Sequence, residues 1–357
     1  MKDAASLIHS ISRAPAVLSL AGALAIAVAT SQAQAADQAL IDAAQAEGRV
    51  TWYTTQQIDS VVRPLSEAFQ EKYGITVDYV RASTAEVALR VYNEGQAGQM
   101  MADVFDGSSA GENLKRADLV LKWLPDTVEN ELGSELADPD GYWVANTLYV
   151  LVPTYNTNLV AEDEVPKSFE DLLDPRWQGK IAWNSGASAG GAPGFVGLVL
   201  KHMGEEKGME YLRALAAQGV AGPKVVSAQL VDQVVAGEYD IALQTFNTQP
   251  ARAAEQGAPV NWVPMSPSMV TFSVMSVTKD APNQNAGKLL VEFATSEEGQ
   301  KIFRDGGLIP VHPNVAPTNP MLRPDGNNYE GLFFAPSEID GSMREWLNIY
   351  EDLFRFQ

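Results

Sequence analysis

One loop holds the residues whose types and spacing best suit chemistry. Residues 186–190 read Gly-Ala-Ser-Ala-Gly, which fits the G-x-S-x-G pattern of a hydrolase nucleophile between a predicted strand and an apolar helix. The base for Ser188 would have to be His312, with Asp280 or Asp305 to orient it. Because such a nucleophile needs a tight turn and this loop is long, a secreted serine hydrolase is the alternative interpretation and not the preferred one.

The small residues of this loop are explained better by a bound ligand. Ser185, Ser188 and Gly190 let the backbone approach a solute closely, and the helix that follows begins near Pro193. The free N–H groups at the start of that helix would face an anionic or acceptor group. Trp183 comes just before the loop and is a further candidate for ligand contact. We therefore predict a binding loop and no catalytic residue.

The sequence gives no support to metal, nucleotide or nucleic-acid chemistry. The chain has no cysteine and three histidines, which leaves no zinc spacing, and no glycine-rich run ends in Gly-Lys-Ser/Thr. We predict no metal site and no cofactor. The formal net charge of −20 repels phosphate backbones and acidic membranes, so neither nucleic acid nor a membrane surface is an expected partner.

The elements that position these residues alternate between strand and helix, which predicts an α/β fold. Strands are predicted over residues 49–53, 75–80 and 102–105 in a first unit and over residues 180–183 and 239–243 in a second. Ligands of parallel sheets lie beyond the carboxyl ends of the strands. This rule nominates Tyr53, Thr54, Thr55, Ser108 and Ser109 as one rim of a cleft.

Two extended, β-branched segments are long enough to cross between the two units. They span residues 143–153 and 269–277, and Asn146 lies in the first. The sequence thus predicts two lobes joined by a two-strand hinge, each lobe a mixed, mostly parallel sheet flanked by helices. The predicted boundaries are 36–147 plus 275–320 for lobe 1, 148–274 for lobe 2 and 321–357 for a C-terminal helical segment.

The first 35 residues have the pattern of a secretory signal peptide. Lys2 and Arg13 precede an apolar run over residues 14–29, and a small-residue cleavage site ends at Ala35. The run is short and rich in alanine for a membrane span, and an uncleaved N-terminal anchor is the alternative. We expect export to the periplasm, where a chain without cysteine relies on its core instead of disulfides.

An ordered series of phrases gives the chain a family resemblance. VTWYTTQ, SEAFQEKYGITVDYV, ADVFDGSS, DLLDPRWQGKIAW, AGEYDIAL and SEEGQKIFRDGGLIPVHPNV follow one another along it. In these phrases the chain resembles the periplasmic solute-binding proteins of ABC importers, extracellular solute-binding protein family 1, and among them the ferric-iron-binding group. The resemblance implies the type II two-lobed fold, which closes over a solute and delivers it to a membrane permease. We expect the protein to act as a monomer.

One departure from that group bears on the solute. The resemblance implies two adjacent iron-binding tyrosines after the strand that matches residues 239–243, whereas residues 244–247 read Gln-Thr-Phe-Asn. Iron(III) would then need Tyr53 or carboxylates from elsewhere in the chain. Phe246 and Asn247 suit an organic solute instead, because a ring face lies beside an amide that both donates and accepts hydrogen bonds.

The predicted site residues are hydroxyls, amides, rings and glycines without fixed charge. They favour a small polar or anionic organic solute, of carboxylate, phosphonate, phosphate or sulfonate type or a polyol, with ferric iron in an atypical site as the alternative. Arg81 and Arg252 are the arginines whose loop positions reach the cleft. Each polar candidate also has a structural alternative, such as capping a helix or ending a strand. The predicted ligand-binding residues are Tyr53, Thr54, Thr55, Ser108, Ser109, Asn146, Trp183, Ser185, Ser188, Gly190, Phe246 and Asn247.

Overall fold

The computed structural model describes residues 38–354, so the predicted signal peptide lies outside the described residues. The strands are β1 (Arg49–Thr54), β2 (Thr76–Arg81), β3 (Val104–Gly107), β4 (Val144–Asn156), β5 (Ile181–Ala182), β6 (Ile241–Phe246), β7 (Val260–Trp262), β8 (Ser268–Val277) and β9 (Gly331–Phe333). The helices are α1 (residues 38–47), α2 (Arg63–Tyr73), α3 (Thr84–Gln96), α4 (Ala110–Arg116), α5 (Ala192–Met203), α6 (Glu205–Ala216), α7 (Ser227–Val235), α8 (Thr248–Glu255), α9 (Gln284–Thr295), α10 (Glu297–Asp305) and α11 (Pro336–Phe354). Among these residues, no helix is long and apolar enough to span a bilayer.

The strands form one hydrogen-bonded path in the order β2-β1-β3-β8-β4-β6-β5, with β7 paired to β4 and β9 to β8. At one end β1 lies parallel to β2 and β3, and at the other end β5 lies parallel to β6. Between them β4 and β8 run antiparallel, with Val144 opposite Met275 and Leu151 opposite Met269. The architecture is α/β and two-lobed, as the sequence predicts. The two strand groups are joined through the crossing pair, whereas the sequence pattern suggests two separate sheets.

The crossing strands are apolar because they are buried along their length. β8 is buried at every position, and β4 is buried at every position except Tyr149. Layers of other elements cover both faces of this pair, so neither strand shows an alternation of polar and apolar residues. Tyr149 is partly exposed, so its side chain borders an opening in a region that is otherwise buried.

Each lobe packs around its own apolar core. The first core includes Trp52, Phe69 and Phe293, which lie on β1, α2 and α9. The second includes Phe195 of α5 and also Trp346, Tyr350 and Phe354 of α11. The C-terminal helix thus shares its core with the second lobe, while the lobe boundaries drawn from the sequence stay a prediction.

Helix α11 is fastened to the second lobe and also touches the first. Its Trp346 ring lies so close to Gly197 of α5 that a Cβ at that glycine would come within 2.6 Å of it. Near the N-terminus of α11, Asp340 forms a 2.6 Å ion pair with Arg116 of α4. The helix therefore packs on one lobe through aromatic rings and reaches the other through a charged contact.

Candidate functional site

A cavity of about 290 Å³ lies between the lobes, beside the ends of β3, β5 and β6. We call it the serine cavity and define it by Ser108, Ser109, Tyr149, Ser188, Gly190, Phe246 and Thr271. The first two turns of α11 form another part of its wall, with Ile339, Met343 and the carboxylate of Asp340. The structure thus brings together five residues that the sequence predicts for the ligand site: Ser108, Ser109, Ser188, Gly190 and Phe246.

The two serines after β3 are not used to cap the helix that follows them. Ser109 occupies the N-cap position of α4, but its side chain makes no capping hydrogen bond within the part of the chain that the structure describes. Gly107 makes the turn before them with a φ of 148°, and a Cβ there would lie 2.9 Å from Thr84. The hydroxyls are therefore available to a solute, contrary to the capping alternative.

Asp106, at the end of β3, ties the loop after β1 to the serine pair. Its carboxylate accepts hydrogen bonds from Trp52 Nε1 at 2.8 Å, from Thr54 Oγ1 at 2.5 Å, and from the backbone N–H and hydroxyl of Thr55 at 2.8 and 2.6 Å. Burial raises the pKa of Asp106, and the hydrogen bonds from the two threonines and the indole oppose that rise. Thr54 and Thr55 thus direct their hydroxyls at a buried carboxylate and not at the serine cavity.

Tyr53 lies on the other face of β1, away from Trp52 and Thr54, because successive side chains of a strand alternate. Its hydroxyl donates a 2.7 Å hydrogen bond to Glu94, and the Arg90 guanidinium lies 4.9 Å from its ring centre. Burial and the Glu94 carboxylate raise the pKa of Tyr53 to about 12. The structure does not bring this predicted residue into the serine cavity.

Tyr149 is the aromatic residue of the serine cavity that the sequence pattern does not single out. It lies in β4, and its ring centre is 5.3 Å from that of Phe246. Burial and the negative charge of Asp106 raise the pKa of Tyr149 to about 12, so the phenol stays protonated at neutral pH. The signal in the sequence was its place in the middle of an apolar crossing segment, where a tyrosine needs a polar partner.

Asn184 organises the glycine-rich loop before α5. Its side-chain Nδ2 donates to the Gly190 carbonyl at 2.7 Å, its Oδ1 accepts from the Gly186 N–H at 2.6 Å, and its carbonyl accepts from the Ala192 N–H at 2.8 Å. A Cβ on Gly191 would lie 2.0 Å from the Gly186 carbonyl oxygen. The loop therefore needs a glycine at this position for its own backbone packing, and not only for approach of a ligand.

Two predicted residues of this segment are directed elsewhere. The Ser185 hydroxyl donates a 3.4 Å hydrogen bond to the Pro223 carbonyl, and the Ser185 N–H donates to the same oxygen at 3.1 Å. Trp183 is fully buried in the second core, where its ring centre lies 4.6 Å from that of Phe354. Neither side chain is among those that line the serine cavity.

The two predicted asparagines are also buried outside the serine cavity. Asn146 lies at an irregularity in the pairing of β4 with β8, and neither of its side-chain polar atoms has a partner among the described residues. Asn247 Nδ2 donates to the Leu322 carbonyl at 2.7 Å, while its Oδ1 has no partner in the described part of the chain. Both amides therefore belong to the packed region around the crossing strands.

A second and larger cavity, of about 870 Å³, lies between the lobes beyond the start of α8. We call it the arginine cleft and define it by Gln57, Ser60, Arg81, Thr248, Arg252 and Asp305. Arg81 ends β2 in the first lobe, and Arg252 lies on α8 in the second. The two arginines that the sequence assigns to the ligand cleft thus lie together in this second cavity and not in the serine cavity.

The Ser188–His312 pair that the hydrolase alternative requires is not formed in the structure. His312 is fully buried, its Nε2 contacts the Glu131 carboxylate, and its Nδ1 accepts a 3.2 Å hydrogen bond from the Asn314 N–H. Both ring nitrogens are thus engaged by neighbours in the chain and not by Ser188. A nucleophile and base within hydrogen-bond reach, which this chemistry requires, are not brought together here.

Comparison with known proteins places the chain in a family. A family model described as bacterial extracellular solute-binding protein matches residues 100–328. The chain belongs to this family. It is 28% identical to the major ferric iron-binding protein of Neisseria meningitidis serogroup B, over 78% of this chain and 86% of that protein.

Solved structures agree with this assignment of the fold. Iron-bound HitA from Pseudomonas aeruginosa superposes with a TM-score of 0.68 at 25% identity, over 85% of this chain and 99% of that one. The periplasmic binding protein AfuA from Actinobacillus pleuropneumoniae, with fructose-6-phosphate bound, has a TM-score of 0.67 at 20% identity, over 87% of this chain and 99% of that one. The bacterial extracellular solute-binding fold is thus shared by proteins whose bound species differ, and the fold alone does not select the solute.

These findings confirm the general class of protein that the sequence predicts, although they do not identify its solute. The protein is a solute-binding protein of the periplasmic type that serves ABC importers, with a solute ligand and a permease partner. The relatives described above are named as iron-binding and periplasmic binding proteins.

Proposed function

We propose that this solute-binding protein closes its lobes over a small polar or anionic organic solute in the serine cavity and delivers it to the permease of an ABC importer. The observation that carries the proposal is that predicted ligand residues from both lobes line one cavity. Ser108 and Ser109 come from the first lobe, and Ser188, Gly190 and Phe246 come from the second. Export to the periplasm, cleavage near Ala35 and action as a monomer are parts of the same proposal.

The chemistry of the cavity favours an organic molecule. Serine and threonine hydroxyls donate and accept hydrogen bonds, and the rings of Tyr149 and Phe246 provide an apolar surface beside them. A few polar groups in an otherwise apolar wall are typical of sites for organic ligands. A volume of about 290 Å³ suits a small solute, such as an organic acid, a phosphonate or a short polyol.

The arrangement also explains how binding would close the protein. The solute gains contacts from both lobes only when the lobes approach one another. That difference in free energy selects the closed form. The permease then distinguishes the loaded protein by its closed shape.

A thermal-shift screen of the exported chain, refolded to remove carried-over ligand, tests the proposal. The panel contains carboxylates, phosphonates, phosphates, sulfonates, polyols and ferric citrate. Because a ligand that binds only the folded state raises the melting temperature, one organic class should give a shift that grows with concentration. If no organic class shifts the melting temperature, the proposal is wrong.

Ferric iron is the second candidate, and the names of several relatives favour it. The tyrosine pair counts against it, because residues 244–247 read Gln-Thr-Phe-Asn where the resemblance implies two adjacent iron-binding tyrosines. Burial also raises the pKa values of Tyr53 and Tyr149 to about 12, so iron would have to displace the phenol proton at either residue.

Titration with ferric citrate separates the two candidates. Iron bound to a phenolate absorbs visible light, so an iron site at either tyrosine would colour the protein. We expect no such colour, and a coloured protein that loses its absorbance in Tyr149→Phe or Tyr53→Phe would establish the iron alternative.

A further inference from the structure

The arginine cleft has a chemistry that the serine cavity lacks. Arg81 stands at the carboxyl end of β2, and Arg252 stands one turn into α8, so the two guanidinium groups enter the same cavity from opposite lobes. Guanidinium groups are planar, permanently charged and suited to binding carboxylate and phosphate groups through paired hydrogen bonds. Two guanidinium groups that enter one cleft from opposite lobes can hold an anion between them. We call this arrangement the anion clamp.

Neither arginine is neutralised by the protein itself. Within residues 38–354, the side chains of Arg81 and Arg252 take part in no ion pair and no hydrogen bond. Three carboxylates also line the cleft: Asp59 binds Arg63 at 2.9 Å, Asp305 binds Arg304 at 2.8 Å, and Glu255 forms no ion pair with either cleft arginine within residues 38–354. The cleft therefore keeps its two cations available although the chain carries a net charge of −20.

The rest of the cleft adds neutral hydrogen-bond donors. Gln57 and Ser60 line it from the first lobe, and Thr248 and Gln249 line it from the second. Helix α8 begins here, and no side chain in the described structure caps it. The backbone N–H groups of its first turn therefore add to the positive potential that the two arginines supply.

From this arrangement we infer that the arginine cleft binds an oxyanion, a carboxylate or phosphate-type group, between Arg81 and Arg252. Because one arginine belongs to each lobe, the bound anion holds the lobes together. The inference deepens the proposed function and rests on it where the oxyanion is part of the transported solute. A small anion bound alongside a neutral solute is the other source of the same chemistry.

Calorimetry of the exported chain tests the clamp with defined probes. The titrants are inorganic phosphate, citrate and the organic solute found in the screen, in a buffer without other oxyanions. The variants are Arg81→Gln and Arg252→Gln, and the matched control is Arg213→Gln, an exposed arginine of α6. We expect each cleft variant to weaken binding of the anion about tenfold or more, while the control binds as the wild-type chain does.

The two possible sources of the oxyanion, the solute itself and a separate small anion, give different results in these titrations. Binding of phosphate or citrate alone, lost in both cleft variants, identifies a free anion. Binding of an anionic organic solute that depends on both arginines, without binding of phosphate or citrate, identifies the anionic group of the solute. Unchanged affinity for every titrant in both variants, or no binding of any oxyanion by the wild-type chain, overturns the inference.

The same experiment distinguishes this inference from the proposed function. If an organic solute binds equally well to wild-type, Arg81→Gln and Arg252→Gln protein, the inference of an oxyanion site at the two arginines is wrong and the proposed function stands. If phosphate binds through the two arginines while no organic solute binds, the proposed function is wrong and the clamp stands. Small-angle scattering gives a second readout, because an anion held by both lobes should decrease the radius of gyration of the wild-type chain and not that of either variant.

Discussion

The serine cavity and the arginine cleft are built by the same rule and differ in chemistry. Both lie between the lobes, beside loops that follow strands. The serine cavity is small, carries hydroxyls and rings, and is covered in part by α11, whereas the cleft is about three times larger by volume and carries two unpaired arginines. The difference shows that strand topology places a site, while the identity of a few loop residues decides what it binds.

Removal of Asp106 should give the largest effect, because this residue joins the loop after β1, which lines the arginine cleft, to the strand that ends in the serines of the serine cavity. In Asp106→Ala, the donors on Trp52, Thr54 and Thr55 lose their buried acceptor. We expect the free energy of unfolding to fall by about 3 kcal/mol and binding to weaken at both sites. Urea unfolding and calorimetry measure this, with the exposed Asp163→Ala as control. Equal stability of the two variants would contradict the role of Asp106.

The raised pKa of Asp106 also predicts that the free energy of unfolding depends on pH. Burial raises the pKa of Asp106 in the folded chain, so the folded state binds this proton more tightly than the unfolded state. The contribution of Asp106 to the free energy of unfolding should therefore decrease as the pH rises above the ordinary pKa of an aspartate and through the raised pKa of the folded state, and Asp106→Ala should lack this component of the slope. A steeper slope in the variant than in the wild-type chain would contradict the direction of the shift.

Substitution of Gly191 should separate the two regions. In Gly191→Ala, the new Cβ would lie 2.0 Å from the Gly186 carbonyl oxygen, so the loop of the serine cavity has to move. We expect loss of organic-solute binding and a loss of about 1–3 kcal/mol of stability, with oxyanion binding at the arginine cleft retained. Gly341→Ala is the control, because nothing lies within 4 Å of that position. Loss of both kinds of binding would mean that the two regions form one site.

The ion pair between Arg116 and Asp340 should give the smallest effect. Their side chains are 56% and 32% exposed, so solvent screens the pair and its loss costs less than about 1 kcal/mol. We expect Arg116→Asp to release the solute of the serine cavity a few times faster and to leave the arginine cleft unaffected. Stopped-flow dissociation measures this.

A charge reversal makes that prediction sharper. The double variant Arg116→Asp with Asp340→Arg restores an attractive pair, so it should recover the wild-type release rate of an uncharged solute, which the reversed charge at position 340 of the cavity wall does not attract. Lys279→Gln, which removes an exposed ion pair with Asp118, is the control. If the double variant releases the solute as fast as the single variant, α11 is not held across the cavity by this pair.

Local patterns in the sequence predict the framework of the molecule well. Alternation of strands and helices gives the α/β fold, and the two long β-branched segments are indeed the crossing pair β4 and β8. Of the residues that the strand-end rule nominates, Ser108 and Ser109 line one cavity with Ser188, whereas Tyr53, Thr54 and Thr55 do not. These features depend on residues close together in the chain, where periodicity and turn residues carry the information.

Local sequence patterns do not predict the features that depend on contacts between residues far apart in the chain. Asp106 accepts from Thr54 across 52 positions, and nothing in the local sequence indicates that Thr54 and Thr55 bond to it instead of a solute. Side chains alternate along β1, so Tyr53 points away from the cavity and donates to Glu94. Trp183 packs instead against an aromatic ring of α11, that of Phe354. Tyr149 and α11 itself enter the site through tertiary packing, so the sequence alone does not include them.

A double-mutant cycle between Ser109 and Ser188 tests the central claim most directly. The dissociation constant of the organic solute is measured for wild-type, Ser109→Ala, Ser188→Ala and the double variant, with the exposed Ser134→Ala as control. If one solute contacts serines of both lobes, each substitution should weaken binding about fivefold while the melting temperature of the ligand-free protein stays unchanged. Dissociation constants equal to that of the control in all variants would show that the solute is not bound in the serine cavity.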